Sequence, residues 1–297
     1  MNSIWDQIKQ FFKEGGALNQ LIMINLGVFI IFLVLRILSF LFQIGIADFF
    51  IRFTALPTDL GTLLTRPWTF VSYMFLHQGF WHIFFNMLWL YFGGRLFLEY
   101  FGGRRLIATY LMGGLIGGAL YVLGYNLFPV FNDVVAVSNN RGASAGVMAI
   151  IIAIATYNPR FPVRLFLFTV PLWGIAVFAL LTDLVSLGEG NNPGGSLAHL
   201  GGAAFGYFMA RAYTQGRDLT EGFAGIIDRF ANLFKPKPKL RKVYSNSNSG
   251  NRRSNTRSGR SNNDEEKLNI ILEKISRSGY DSLSKDEKDH LFKFGKD

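Results

Sequence analysis

The chain has 297 residues, of which 50% are hydrophobic, 17% are charged and none is cysteine, and its formal net charge is +10. The lack of cysteine excludes disulfides, thiol nucleophiles and cysteine-ligated metals, and the charged fraction falls below the roughly one quarter usual for a soluble domain. Much of the charge lies after Arg217, so the first two-thirds is more apolar still; the basic excess fits the Lys- and Arg-rich cytoplasmic segments of a membrane protein better than a nucleic-acid surface.

Residues 1–17 carry Asp6, Lys9, Lys13 and Glu14 among apolar residues. They read as an amphipathic cytoplasmic start rather than a secretory signal. Six apolar segments follow: Gln20–Phe42, Phe80–Phe101, Leu106–Leu127, Gly142–Tyr157, Leu165–Leu187 and Leu197–Tyr213. A spanning helix needs about 20 apolar residues, and the fourth and sixth segments are short by that rule. A helix of the fourth segment's length reaches about 24 Å, against a hydrocarbon core of about 30 Å. Its end must then lie below the membrane surface, where irregular backbone is tolerated only in protein or beside a water-filled cavity. Ser144 sits near the start of one short segment and His199 near the start of the other.

Lys and Arg set the orientation. Lys9, Lys13, Arg104, Arg105, Arg160, Arg164, Arg211 and Arg217 fall on one side, the cytoplasm, and both termini lie there. The opposite loops hold few basic residues. The first of them, Gln43–Gly79, contains Phe49, Phe50, Ile51, Phe53, Pro57 and Arg66-Pro67-Trp68, which predicts an irregular, partly immersed loop. The last, Gly188–Ser196, has four glycines and predicts a mobile cap.

Residues 216–234 place Leu219, Phe223, Ile226, Ile227, Phe230 and Phe234 on one helical face, predicting a helix lying on the membrane. Residues 235–263 form a linker. Its stretch from Lys235 to Arg260 has nine basic and no acidic residues and predicts disorder, with contact to anionic lipid. Residues 264–297 read as a helical hairpin: Leu268, Ile271, Leu272 and Ile275 share a face, Gly279 stops the first helix, and Ser284-Lys285-Asp286-Glu287 forms a capping box for the second. So short a module has little core of its own and is expected to dock on something the sequence does not identify.

Polar residues inside a membrane are functional candidates by default. The stretch Gly142-Ala143-Ser144-Ala145-Gly146 matches G-x-S-x-G, with small neighbours that allow close approach to the hydroxyl. His82 and Asn86 are four residues apart and share a helix face, and both side chains can donate hydrogen bonds. Gly202 and Gly206 share the face of His199, and Ala145, Ala149 and Ala153 repeat a small residue along the fourth segment. Close packing of those two faces brings the Ser144 hydroxyl to the His199 ring. A serine hydroxyl needs such a base to become nucleophilic.

These residues resemble the rhomboid family of intramembrane serine proteases. The resemblance rests on Gly142-Ala143-Ser144, His199-x-x-Gly202, His77-x-x-x-x-His82-x-x-x-Asn86 and Arg66-Pro67-Trp68, and spans residues 18–215. It implies an all-α polytopic membrane protein, a six-transmembrane-helix bundle with a cytoplasmic C-terminal tail, placed here in a bacterial plasma membrane. It implies a serine endopeptidase with no cofactor and no metal, whose partners are transmembrane protein substrates and the lipid bilayer, not nucleic acid. By the same resemblance Ser144 is the nucleophile and His199 the base of a Ser–His dyad. The His82 and Asn86 side chains and the Ser144 N–H form the oxyanion hole, and His77 holds the outer loop. Ala145 stands where many relatives have glycine, and Met148 where an aromatic ring often packs on the imidazole. The tail resembles a short helical module behind some bacterial members.

Competing chemistries fit less well. The order Ser144, Asp183, His199 imitates an α/β-hydrolase triad, but that fold leaves six apolar segments unexplained. Val134–Val137 is its one candidate strand before the serine. The zinc motif H-E-x-x-H is absent at His82, which Ile83 and Phe84 follow. No inverted repeat suggests a transporter. A catalytically silent member that binds membrane-protein clients is the alternative from another class, although both Ser144 and His199 are present. Asp183, near the outer end of its segment, is expected to be a solvated or capping carboxylate outside the catalytic set. The tail after about Gly216 is expected to be dispensable.

Overall fold

The computed structural model describes residues 16–165, 168–233 and 262–294. The chain divides into two contact units, Met1–Pro236 and Lys237–Asp297. Predicted features at residues 1–15 and most of the basic linker lie outside the described residues.

The first unit opens with α1 (Gly16–Phe42). Ile30, Ile31, Val34, Phe40, Leu41 and Phe42 on it are exposed, an apolar exterior suited to lipid. The predicted irregular loop is instead largely helical: α2 (Ile46–Thr54), β1 (Leu56–Pro57), α3 (Leu60–Thr65), α4 (Thr69–Ser72) and a 3-10 turn at Tyr73–Phe75. Local capping explains it. Asp59 accepts from the Thr62 N–H at 2.7 Å at the start of α3. Three successive carbonyls at the end of α2 are taken by side chains that follow: Arg52 by Arg66 at 2.7 Å, Phe53 by the Trp68 indole at 2.8 Å and Thr54 by Ser72 at 2.8 Å. Arg66-Pro67-Trp68 thus satisfies orphan carbonyls of a helix end. Phe49, Phe53 and Leu64 remain exposed, as an immersed segment requires.

Next come α5 (Phe80–Phe101), α6 (Gly103–Leu127), β2 (Asn139–Asn140), which pairs antiparallel with β1, and α7 (Ser144–Tyr157). Val134–Val137 is a turn, not a strand. The segment expected as one helix from Leu165 divides. A hairpin of β3 (Pro162–Leu165) and β4 (Phe168–Pro171) precedes α8 (Leu172–Gly188). Pro171 disfavours helix at the residue before it and leads directly into α8. Then follow α9 (Pro193–Thr214) and α10 (Glu221–Leu233). The α9 helix starts earlier than expected and is not short. Asn192 caps it, its side chain accepting from the Gly195 N–H at 3.3 Å, and Pro193 occupies the first turn. The back half of the predicted mobile cap is therefore helix, and Gly194 and Gly195 are buried there.

The core is α7. From Ala145 to Ala155 every residue except Met148 is buried, as expected of a helix apolar on all sides. It is enclosed by α5, α6, α8 and α9. At 14 residues it is about 21 Å long. Of the described helices, α1 and α6 are long and apolar enough to cross a membrane by length and composition, and α7 and α8 are shorter apolar helices.

In the second unit, α11 (Asn262–Ser278) and α12 (Lys285–Phe294) flank a 3-10 turn at Tyr280–Ser282. Gly279 has φ +78° at the turn out of α11. The capping box is present: the Ser284 N–H donates to Glu287 Oε2 at 2.7 Å and the Glu287 N–H to Ser284 Oγ at 3.3 Å. Lys274 pairs with Glu287 at 2.8 Å across the hairpin.

Candidate active site

Ser144 is the first residue of α7. Its N–H and those just after it are the orphan donors of a helix N-terminus, at the positive end of the helix dipole. Gly142 before it has φ +129°, a conformation side chains rarely adopt. A Cβ on Gly142 would lie 2.8 Å from His82 Nε2 and 3.7 Å from Ser144 Oγ. The bare Cα therefore lets the imidazole and the hydroxyl converge.

The backbone before the serine is pinned. The Gly142 N–H donates to the Tyr73 carbonyl at 2.9 Å. The Ala143 N–H donates to His77 Nε2 at 3.3 Å, and His77 Nδ1 faces the Phe75 carbonyl at 3.3 Å. These partners assign the His77 proton to Nδ1. Burial, followed by the neighbouring His82 ring, pushes the His77 imidazole down to about 4. His77 is thus neutral at physiological pH and can accept from Ala143. It ties the outer segment to the start of α7.

His82 and Asn86 lie on α5, and the Asn86 amide donates to the His82 carbonyl at 2.8 Å. That bond uses one amide hydrogen and leaves the other. His199 comes from α9. The backbones of α7 and α9 approach so closely that a Cβ on Gly202 would lie 2.1 Å from the Ala145 carbonyl oxygen, and one on Gly206 would lie 2.2 Å from that of Ala149. Such contacts between small residues are how helices associate in lipid.

Two cavities meet at this point. One, of about 460 Å³, is polar and lined by Gln78, His82, Asn140, Arg141 and Asn192 among others. The other, of about 330 Å³, is apolar and lined by Trp89, Val147, Met148, Ile175 and Phe178 among others. Ser144, His199 and Asn86 line both. His82 lines the polar one and Met148 the apolar one. Gln78, Asn140, Arg141 and Asn192 were not among the residues expected at the site. They are polar residues from β2 and from connections between helices, whose convergence no spacing reveals.

A family description, the Rhomboid domain, matches residues 64–216. The chain belongs to the rhomboid family. It is accordingly an integral membrane protein. Over 210 residues it is 29% identical to RHOMBOID-like protein 12, mitochondrial, of Arabidopsis thaliana, a match covering 67% of this chain and 59% of that protein. The chain thus spans less than two thirds of that relative's length.

One feature of this rhomboid departs from expectation. Asp183 is not a solvated carboxylate. It is 8% exposed, and its Oδ1 lies 2.7 Å from His199 Nδ1. The solvated reading followed from its place near a segment end. The structure turns that part of α8 toward α9, and burial then requires a partner. The signal in the sequence was the chain order Ser144, Asp183, His199.

Proposed function

We propose that this rhomboid is an intramembrane serine endopeptidase that cleaves peptide bonds within or beside the transmembrane segments of other proteins. The observation that carries the reading is the position of Ser144, His199 and Asn86 on the shared wall of a polar and an apolar cavity. An apolar substrate side chain fits the second, and the first gives water a route to the serine.

In this reading Ser144 is the nucleophile and His199 the general base. The Ser144 proton passes to His199 Nε2 as Oγ bonds to the substrate carbonyl carbon. The negative charge on the carbonyl oxygen is stabilised by the Ser144 N–H and the His82 and Asn86 side chains. As the C–N bond breaks, His199 returns the proton to the leaving amine. Water entering from the polar cavity hydrolyses the acyl-serine by the same route in reverse. Six segments, α1, α5, α6, α7, α8 and α9, are taken to cross the bilayer, with both termini cytoplasmic on the distribution of Lys and Arg. The basic stretch Lys235–Arg260 is proposed to meet anionic lipid.

The test is purified protein in detergent with a fluorogenic transmembrane substrate, against Ser144→Ala. Cleavage by the wild type and none by the variant supports the reading. A folded wild-type protein that cuts no such substrate, or equal cleavage by Ser144→Ala, overturns it; binding without cleavage would indicate a silent client-binding protein.

A further inference from the structure

We infer that Asp183 is a positioning residue for His199, so that the reaction centre is a Ser144–His199–Asp183 triad drawn from α7, α9 and α8 rather than a dyad. The inference rests on the protease reading for its catalytic consequence, and on geometry alone for the pairing itself.

Asp183 is the buried carboxylate among the described residues. A carboxylate taken out of water is costly unless paired. Its Oδ1 has one partner, His199 Nδ1 at 2.7 Å, and its Oδ2 is buried with none. The pair is also shielded, with the side chains of His199 and Asp183 only 20% and 12% exposed. Met148, on the apolar side of the ring, offers only a thioether, a weak acceptor. It is no competitor for Nδ1.

The chemical consequence follows from proton placement. An ionised carboxylate only accepts hydrogen bonds, so Nδ1 must carry the proton. Nε2 is then the basic nitrogen. When Nε2 takes the Ser144 proton the ring becomes an imidazolium, and the adjacent carboxylate stabilises that charge without being protonated itself. No atom or electron passes to Asp183. The other ionisable groups facing His199 are His82 from α5 and Arg141 from the loop before α7, both on the polar cavity. Neither is an anion, so Asp183 supplies the stabilising negative charge at the ring.

A plain structural tie between α8 and α9 makes a different prediction. Asp183→Asn keeps the size of the side chain and a hydrogen bond to the ring. A tie therefore survives it. In a triad the asparagine amide can donate to Nδ1 and fix the proton on Nε2, the wrong nitrogen. With melting temperature unchanged, kcat is expected to fall by about 10²–10⁴ with little change in KM. Asp183→Glu, which restores the carboxylate, should recover part of the loss.

The test joins kinetics to a measurement that does not need activity. Wild type, Asp183→Asn and Asp183→Glu are labelled with ¹⁵N-histidine, and the His199 ring signals are identified by their loss in His199→Gln. The expected result is a wild-type ring that carries a proton on Nδ1 and a shift of that proton toward Nε2 in Asp183→Asn. A wild-type ring protonated on Nε2 and bare on Nδ1 overturns the triad even if no variant folds. So does a folded Asp183→Asn that keeps more than about a tenth of wild-type kcat. If the wild type neither cleaves substrate nor labels at Ser144 with a fluorophosphonate, the protease reading fails. The ring spectra then still decide the pairing.

Discussion

Gly202→Ala is a severe substitution for its size. The new Cβ would lie 2.1 Å from the Ala145 carbonyl oxygen, 2.9 Å from its carbonyl carbon and 3.2 Å from its Cα. All three atoms are backbone of α7, so no side chain can rotate away. Reaching the 3.4 Å at which ordinary contact begins requires a separation of about 1.3 Å between α9 and α7. Alanine favours the helix over glycine by about 1 kcal/mol. Overpacking costs about 1–3 kcal/mol, leaving a net loss of at most about 2 kcal/mol. Catalysis should suffer more. Ser144 and His199 sit on the two helices being parted, and a misplacement of about 1 Å can cost about 10² in rate. The assay is kcat on a fluorogenic transmembrane substrate and melting temperature on the same preparation. Gly27→Ala on α1 is the control, because its Cβ would meet nothing within 4 Å. A Gly202→Ala protein with wild-type melting temperature and unchanged kcat would refute the close approach and, with it, the argument that helix packing assembles the site.

Asn86→Ala should lower kcat by about 10–10² with little change in KM, and His82→Ala by more; if the loss instead tracks melting temperature, both residues are structural. The Asp218 carboxylate pairs with Arg105 at 2.7 Å. Burial alone would raise it, but hydrogen bonds from Thr220 and Arg105 outweigh burial and hold it below its ordinary value. Its stabilisation is therefore full above the unfolded carboxylate pKa of about 3.9 and is lost as pH falls through the lower folded value. The gap in melting temperature between wild type and Asp218→Asn should be constant from neutral pH down to about 5 and close at lower pH; a gap independent of pH would refute the ionic contribution. Truncation after Pro236 removes the second contact unit and keeps Asp218, α10 and every site residue, so cleavage of a small soluble reporter should persist; a folded but inactive truncation would place the tail in the catalytic unit.

Much of the candidate site was legible because it rests on local periods. A helix repeats its face every three or four residues whatever surrounds it. Ala145 and Ala149 on one segment, and Gly202 and Gly206 on another, therefore announced two faces able to touch, and the structure sets those backbones in contact. His82 and Asn86 were paired by the same rule. The small residues around Ser144 suggested close approach to the hydroxyl, and a Cβ on Gly142 would lie 2.8 Å from His82 Nε2; the φ of +129° at Gly142 was not foreseen.

Helix ends and rotations followed a different logic. Glycines in Gly188–Ser196 suggested mobility, but Asn192 and Pro193 start α9 there and Gly194 packs beneath Tyr121. Arg66, Trp68 and Ser72 had no visible role until the end of α2 lay beside them. Asp183 is the clearest case. Its residue type and place near a segment end are properties of the sequence. Whether it faces water or His199 depends on the rotation of α8 about its axis, set by packing against α7 and α9. A local pattern fixes which residues share a face. Only the assembled helices decide what that face meets, because the partner atoms come from distant parts of the chain.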